Sequence, residues 1–161
     1  MKKYIKNLEE IVSSFFIIIT VVLVILNVIL RYGFNKGIYW TEEVTTISFV
    51  WSVFIGASAC YRKNLHIGID MIKNMFSKKI QNVINQIVNI LLLIINGYIT
   101  YLSIIFIRGA SAKKTPVLGI PSIYMNASLL VGFGLMTIHT LFFIIKGTKQ
   151  LTEESEEVSA L

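Results

Sequence analysis

Ionisable side chains are scarce in this sequence, and where they are missing says more than how few there are. Asp, Glu, Lys and Arg make up 15% of the 161 residues, and none of them falls within 11–30, 44–61, 80–107 or 123–145. A bilayer is crossed by about twenty consecutive apolar residues, so runs of this kind mark membrane spans. With 55% hydrophobic residues and a mean hydropathy of +0.71, the chain reads as an integral membrane protein rather than a soluble domain. The same scarcity weighs against a self-sufficient small transporter, which needs an ionisable residue near mid-membrane to bind substrate and proton. Cysteine is nearly absent as well. Cys60 alone forms neither an internal disulfide nor a Cys-x-x-Cys redox pair, and it reads as a small residue buried at a helix contact. No glycine-rich phosphate loop, paired-cysteine metal spacing or nucleophile elbow occurs, so the residues point to no enzyme and to no cofactor. Two histidines, His66 and His139, keep one cofactor alternative open, a haem-binding membrane redox subunit with both as axial ligands. Against it stand a surface-facing His66 and a hydrogen-bonded His139.

What is present is apolar helix punctuated by short charged clusters. The net charge of +6 does not indicate nucleic acid, because the cations sit beside apolar runs instead of forming a basic face. The expected fold class is all-α, with four transmembrane helices at about 11–31, 42–61, 81–107 and 123–145. Residues 1–150 then form one membrane domain, and 151–161, with Glu153-Glu-Ser-Glu-Glu157, an acidic tail expected to be disordered. The first run ends at Asn27-Val-Ile-Leu-Arg31 without a small-residue cleavage site, so it is expected to be retained as a helix. Four spans place both termini on one side of the membrane. Lys2, Lys3, Lys6, Arg62, Lys63, Lys73, Lys78, Lys79, Lys146 and Lys149 would share that side, against Arg31, Lys36, Arg108, Lys113 and Lys114 on the other. The positive-inside rule therefore favours cytoplasmic termini. The segment from Arg62 to Lys79 interleaves apolar and basic residues and is expected to lie along the cytoplasmic surface as an amphipathic connection between helices 2 and 3.

Within the helices, polar and small residues recur at helical spacing. Thr41 is a plausible N-cap, with Glu42 and Glu43 in the first turn at the positive end of the helix dipole. Arg31 closes helix 1 at the same membrane face, where an ion pair with Glu42 or Glu43 would pin the first two helices. Ser52, Gly56 and Cys60 recur every four residues, and Ser128 and Gly132 form a small-x-x-x-small pair, so both stretches allow a close helix approach. Asn82, Asn85, Gln86, Asn89 and Asn96 put their amides on one side of helix 3; amides in lipid are costly without partners, so that side should face protein, within this chain or in another subunit. Arg62, His66 and Asp70, four apart, form one polar stripe if helix 2 continues past Tyr61.

Taken together, Arg31-Tyr-x-Phe34, Trp40-Thr-Glu-Glu43, Gly56-Ala57, Arg62-x-x-x-His66-x-x-x-Asp70 and Gly119-Ile-Pro121 resemble the small membrane subunit of TRAP (tripartite ATP-independent periplasmic) transporters. The likeness follows the same order along nearly the whole chain. It implies a non-catalytic scaffold in the bacterial inner membrane, bound to a large membrane subunit that carries the substrate and sodium sites. A periplasmic binding protein would dock transiently and deliver an organic acid such as a dicarboxylate, a keto acid or a sugar acid like sialic acid. Apart from membrane lipid, those two proteins are the expected partners. Arg31, Trp40, Glu42, Glu43, Gly56, Arg62, His66, Asp70, Asn85, Asn89 and Pro121 are the candidate assembly residues; no substrate site is expected in this chain.

Overall fold

The computed structural model describes residues 7–63, 78–110 and 113–159. Four helices account for most of them: α1 (Leu8–Gly33), α2 (Tyr39–Arg62), α3 (Lys78–Ala110) and α4 (Ile123–Ser159). Each contains a stretch long and apolar enough to cross a membrane, namely Leu8–Gly33, Tyr39–Arg62, Ile80–Ala110 and Ile123–Thr148. At 1.5 Å per residue the 26 residues of α1 reach about 39 Å, more than the hydrocarbon core of about 30 Å requires. Among the described residues there is no strand, only an isolated antiparallel bridge between Lys114 and Pro121.

The helices lie in the order α1, α2, α4, α3, because the extensive contacts are those of α1 with α2, α2 with α4, and α4 with α3. α2 and α4 are therefore central, and α1 and α3 are edges. The side chains follow from this placement. Thr41, Ser48, Ser52, Ile55, Ser58 and Ala59 are buried on α2, whereas α1 buries only Thr20 and exposes Phe15, Ile18, Val22, Ile25 and Ile29 as a lipid-facing surface.

Several boundaries differ from expectation. α2 begins at Tyr39 with Ile38 as its N-cap residue, not Thr41. The Ile38 N–H donates to Asn27 Oδ1 of α1 at 3.1 Å, which satisfies an orphan amide from outside the helix and lets the chain turn earlier; Thr41 instead donates its hydroxyl back to the Ile38 carbonyl and is completely buried. α4 continues through Ser159, so the acidic run expected to be disordered is carried in its last turns. Cys60, expected to be buried, is exposed; the close-packed face of α2 is the serine and alanine face, rotated away from it. Of the amphipathic connection expected between α2 and α3, residues 64–77, including His66 and Asp70, lie outside the described residues, while Arg62 ends α2 and Lys78 opens α3.

Candidate functional site

At one end of the row, α1 delivers two carboxylates into the other helices. Glu9 and Glu10 occupy its first turn, where acidic residues suit the helix dipole. Glu9 Oε1 lies 2.8 Å from His139 Nε2 of α4, with both side chains mostly buried at 14% and 16% exposure. Its other oxygen accepts a hydrogen bond from Ser58 Oγ of α2 at 3.3 Å, so a single carboxylate ties three helices. Glu10, the next residue, turns toward the end of α2, where Arg62 Nη2 and Lys63 Nζ each donate to it at 3.0 Å. Nearby, Tyr61 and Thr140 share a hydrogen bond of 2.8 Å between α2 and α4. The Nε2 that a haem would need on His139 is thus engaged by Glu9.

Small residues set the middle of the α2 and α4 contact. Gly132 faces Phe54 so closely that a Cβ added there would stand 2.8 Å from Phe54 Cβ and 3.0 Å from its carbonyl oxygen. Ser128, one turn away, is fully buried, as the small-x-x-x-small spacing implied. Gly56 serves the other side of α2, where an added Cβ would meet Ser13 of α1 at ordinary contact distance, 3.6 Å. Trp51 ties α2 to the helices on either side of it: its ring stacks on Phe16 of α1, with centroids 5.9 Å apart, and its Nε1 donates to the Tyr124 carbonyl of α4 at 3.0 Å.

At the opposite end, Glu43 holds the loop between α3 and α4. Its carboxylate accepts hydrogen bonds from the backbone N–H groups of Val117 at 2.7 Å and Leu118 at 3.0 Å. The loop is itself closed by Thr115 N–H to Ile120 O and Ser122 N–H to Lys113 O, both 2.8 Å. Gly119 turns the loop with φ of 64°, a left-handed conformation that glycine adopts without steric cost. Pro121, in the bridge to Lys114, ends the loop just before α4. Changing Glu43 to Gln should accelerate hydrogen exchange severalfold at Val117 and Leu118, since a neutral amide accepts more weakly than a carboxylate. The Thr115 and Ile120 amides, held within the loop, should change much less; uniform acceleration over the loop would place its stability elsewhere.

The expected ion pair between Arg31 and Glu42 or Glu43 is not formed. Glu43 is committed to the loop amides, and Arg31 and Glu42 instead line a cavity of about 410 Å³ with Asn27, Asn35, Gly37, Ile38 and Tyr39. Trp40, beside it, is 44% exposed. Of the stripe Arg62, His66 and Asp70, only Arg62 lies among the described residues, where it pairs with Glu10. On α3, the amide side faces α4 for part of its length: Gln86 Nε2 donates to Thr148 Oγ1 at 3.0 Å, Thr100 and Thr137 share a hydrogen bond, and Asn96 is buried. Asn85 and Asn89 are half-buried. Sequence reasoning missed the Glu9, Ser58 and His139 cluster and the Glu10 clasp. The available signal was that Glu9 and Glu10 open a span at the same membrane face on which His139, Arg62 and Lys63 fall.

Comparison with known proteins agrees with this architecture. The family model described as tripartite ATP-independent periplasmic transporters, DctQ component, matches residues 20–150. A TRAP transporter small permease protein of Haemophilus influenzae is 32% identical over 151 residues, which cover 89% of this chain and 94% of that protein. The sialic acid TRAP transporter small permease protein SiaQ of Vibrio cholerae is 24% identical over 161 residues, covering 100% of this chain and 93% of SiaQ. A third match joins 57% of this chain, at 30% identity over 92 residues, to 15% of the sialic acid TRAP transporter permease protein SiaT of Haemophilus influenzae. With the family model spanning all four apolar helices in whole or in part, the chain belongs to the DctQ family of TRAP transporter small permease subunits, multi-pass proteins of the inner membrane and not enzymes.

Proposed function

We propose that this subunit is the stationary scaffold of a sodium-coupled TRAP transporter, holding a large permease subunit in the bilayer while that subunit's transport domain moves. The observation that carries the reading is the match to SiaT, in which a segment resembling this chain forms a small part of a larger permease; two sequences that occur in one polypeptide are natural partners when they occur in two. The absence of any Asp, Glu, Lys or Arg from the middle of the four spans supports placing the ion and substrate sites in that partner. The names of the relatives, sialic acid for SiaQ and C4-dicarboxylate for a Vibrio cholerae small permease, support an organic acid as the transported solute, delivered by a periplasmic binding protein. The distribution of cations supports cytoplasmic termini, which puts Trp40, Glu42, Glu43 and the 113–122 loop on the periplasmic side.

The test is uptake into proteoliposomes. With the large permease, the binding protein and an inward sodium gradient, uptake should require this chain; undiminished uptake without it would remove the scaffold role, and uptake by this chain alone would make it the transporter. The half-buried amides of α3 offer a second check. Changing Asn85 and Asn89 together to Leu should reduce co-purification of the large permease while leaving the isolated chain helical, each lost interhelical hydrogen bond being worth about 0.6 kcal/mol. Unchanged co-purification would assign these amides to packing within the chain.

A further inference from the structure

The cavity between the end of α1 and the start of α2 carries two opposite charges that do not meet. Arg31 and Glu42 both line it, and neither forms an ion pair among the described residues. Asn27 lines it too; its Oδ1 is taken by the Ile38 amide, which leaves its Nδ2 as a donor. The aliphatic part of Arg31 lies beside Gly37, its Cγ 3.9 Å from where a Cβ would stand. A concave site lined by one cation and one anion is complementary to a zwitterion, not to a simple anion or cation.

The surroundings say which zwitterion. Tyr39, which lines the notch, and Tyr32, Phe34 and Trp40, each next in sequence to a lining residue, are all exposed, as in the belt of aromatics that marks the boundary between headgroups and hydrocarbon. Below the charges run two apolar tracks at helical spacing. On α1, Val21, Val24 and Val28 are exposed on the side of Arg31, and on α2, Phe49 and Val53 continue the line of Glu42 and Thr46. Both tracks point from the charged notch into the membrane span. We propose that this notch binds phosphatidylethanolamine, with the phosphate on Arg31, the ammonium on Glu42 and the acyl chains along the tracks of α1 and α2. Guanidinium and phosphate match in a charge-assisted, forked geometry. Phosphatidylglycerol would bring a net negative charge against Glu42 with no ammonium to offset it, and phosphatidylcholine has no N–H to donate to the carboxylate.

Native mass spectrometry of the full chain, purified in detergent and supplied separately with phosphatidylethanolamine, phosphatidylglycerol and phosphatidylcholine, tests this assignment. The chain should retain one phosphatidylethanolamine in roughly tenfold preference to the other two, the ratio expected from one charge-assisted hydrogen bond. Arg31→Gln should lose retention of all three, and Glu42→Gln should lose the preference for phosphatidylethanolamine over phosphatidylglycerol while keeping the phosphate contact. Glycerophosphoethanolamine, the same headgroup without acyl chains, should fail to displace the lipid at equal concentration, because the apolar tracks hold the chains. Equal retention by Arg31→Gln and the parent chain, an unchanged preference in Glu42→Gln, or displacement by the chain-free headgroup would each overturn the proposal. If Arg31→Gln fails to fold, as judged by lost helical circular dichroism, the Glu42→Gln preference decides the matter alone.

Discussion

Replacing Gly132 with leucine is expected to force α2 away from α4 and to cost much of the stability of that helix contact. At this position even a methyl group meets Phe54 Cβ at 2.8 Å and the Phe54 backbone at 3.0 Å. The backbone of α2 cannot rotate aside as the tip of a long side chain can. Overpacking a fitted interior typically costs about 1 to 3 kcal/mol, and a contact against backbone belongs at or above the top of that range. The neighbouring glycine on α4 supplies the control, since a Cβ at Gly134 meets nothing within 4 Å. Thermal unfolding of the detergent-purified chain, followed by circular dichroism, should show a clear drop for Gly132→Leu, a smaller one for Gly132→Ala, and none for Gly134→Ala. Equal behaviour of the Gly132 and Gly134 variants would mean that the closeness of α2 and α4 is not what stabilises the row.

Removing either member of the Glu9 and His139 pair is the second change expected to be severe, and the two single changes should not add. Both side chains are mostly buried, and the carboxylate also accepts from Ser58. Glu9→Leu strands the imidazole, and His139→Leu strands the carboxylate. Breaking a buried pair in this way costs about 3 to 5 kcal/mol, whereas replacing both partners with apolar residues is often close to neutral. The double variant Glu9→Leu with His139→Leu should therefore recover much of the stability lost by either single change. A double-mutant cycle on unfolding in detergent measures the coupling; additive losses would show that the two groups act separately, with Glu9 serving Ser58 and the helix dipole.

These two sites differ in how far they could be read from residues alone. The small pair at Ser128 and Gly132 is local: its four-residue spacing is visible in the sequence, and helix geometry guarantees that both members share a face. The same holds for the four spans, whose uncharged runs lie within the observed helices. Glu9 and His139 stand 130 residues apart, and no periodicity links them; only the order of the helices brings the start of α1 to the late turns of α4. Glu43 shows the opposite hazard. Its place in the first turn of α2 gives a sufficient local reason for a carboxylate, and that reason hides its hold on the Val117 and Leu118 amides. Arg31 and Glu42 misled by proximity, since charges at one membrane face need not point at each other. For Cys60, the four-residue stripe with Ser52 and Gly56 identified helix contacts but chose the wrong member: Ser52 is buried, Gly56 meets α1, and Cys60 has rotated out to the surface.

The side-by-side order α1, α2, α4, α3 also has a consequence for how the protein is made. Each of its outer contacts joins helices that are consecutive in the chain, α1 with α2 and α3 with α4. Each pair is therefore a hairpin that can enter the bilayer and close on itself, and the first can do so before α3 and α4 have been made. The junction of α2 with α4, together with the contact of Glu9 on α1 with His139 on α4, must wait for both hairpins, and it is made in the plane of the membrane between helices already inserted, the second stage of assembly in a lipid environment. Biogenesis is thus reduced to a single lateral docking event. A chain truncated before α3 and released into the membrane should already show α1 and α2 crosslinked through cysteines at Ser13 and Gly56, the pair that meets across that first hairpin.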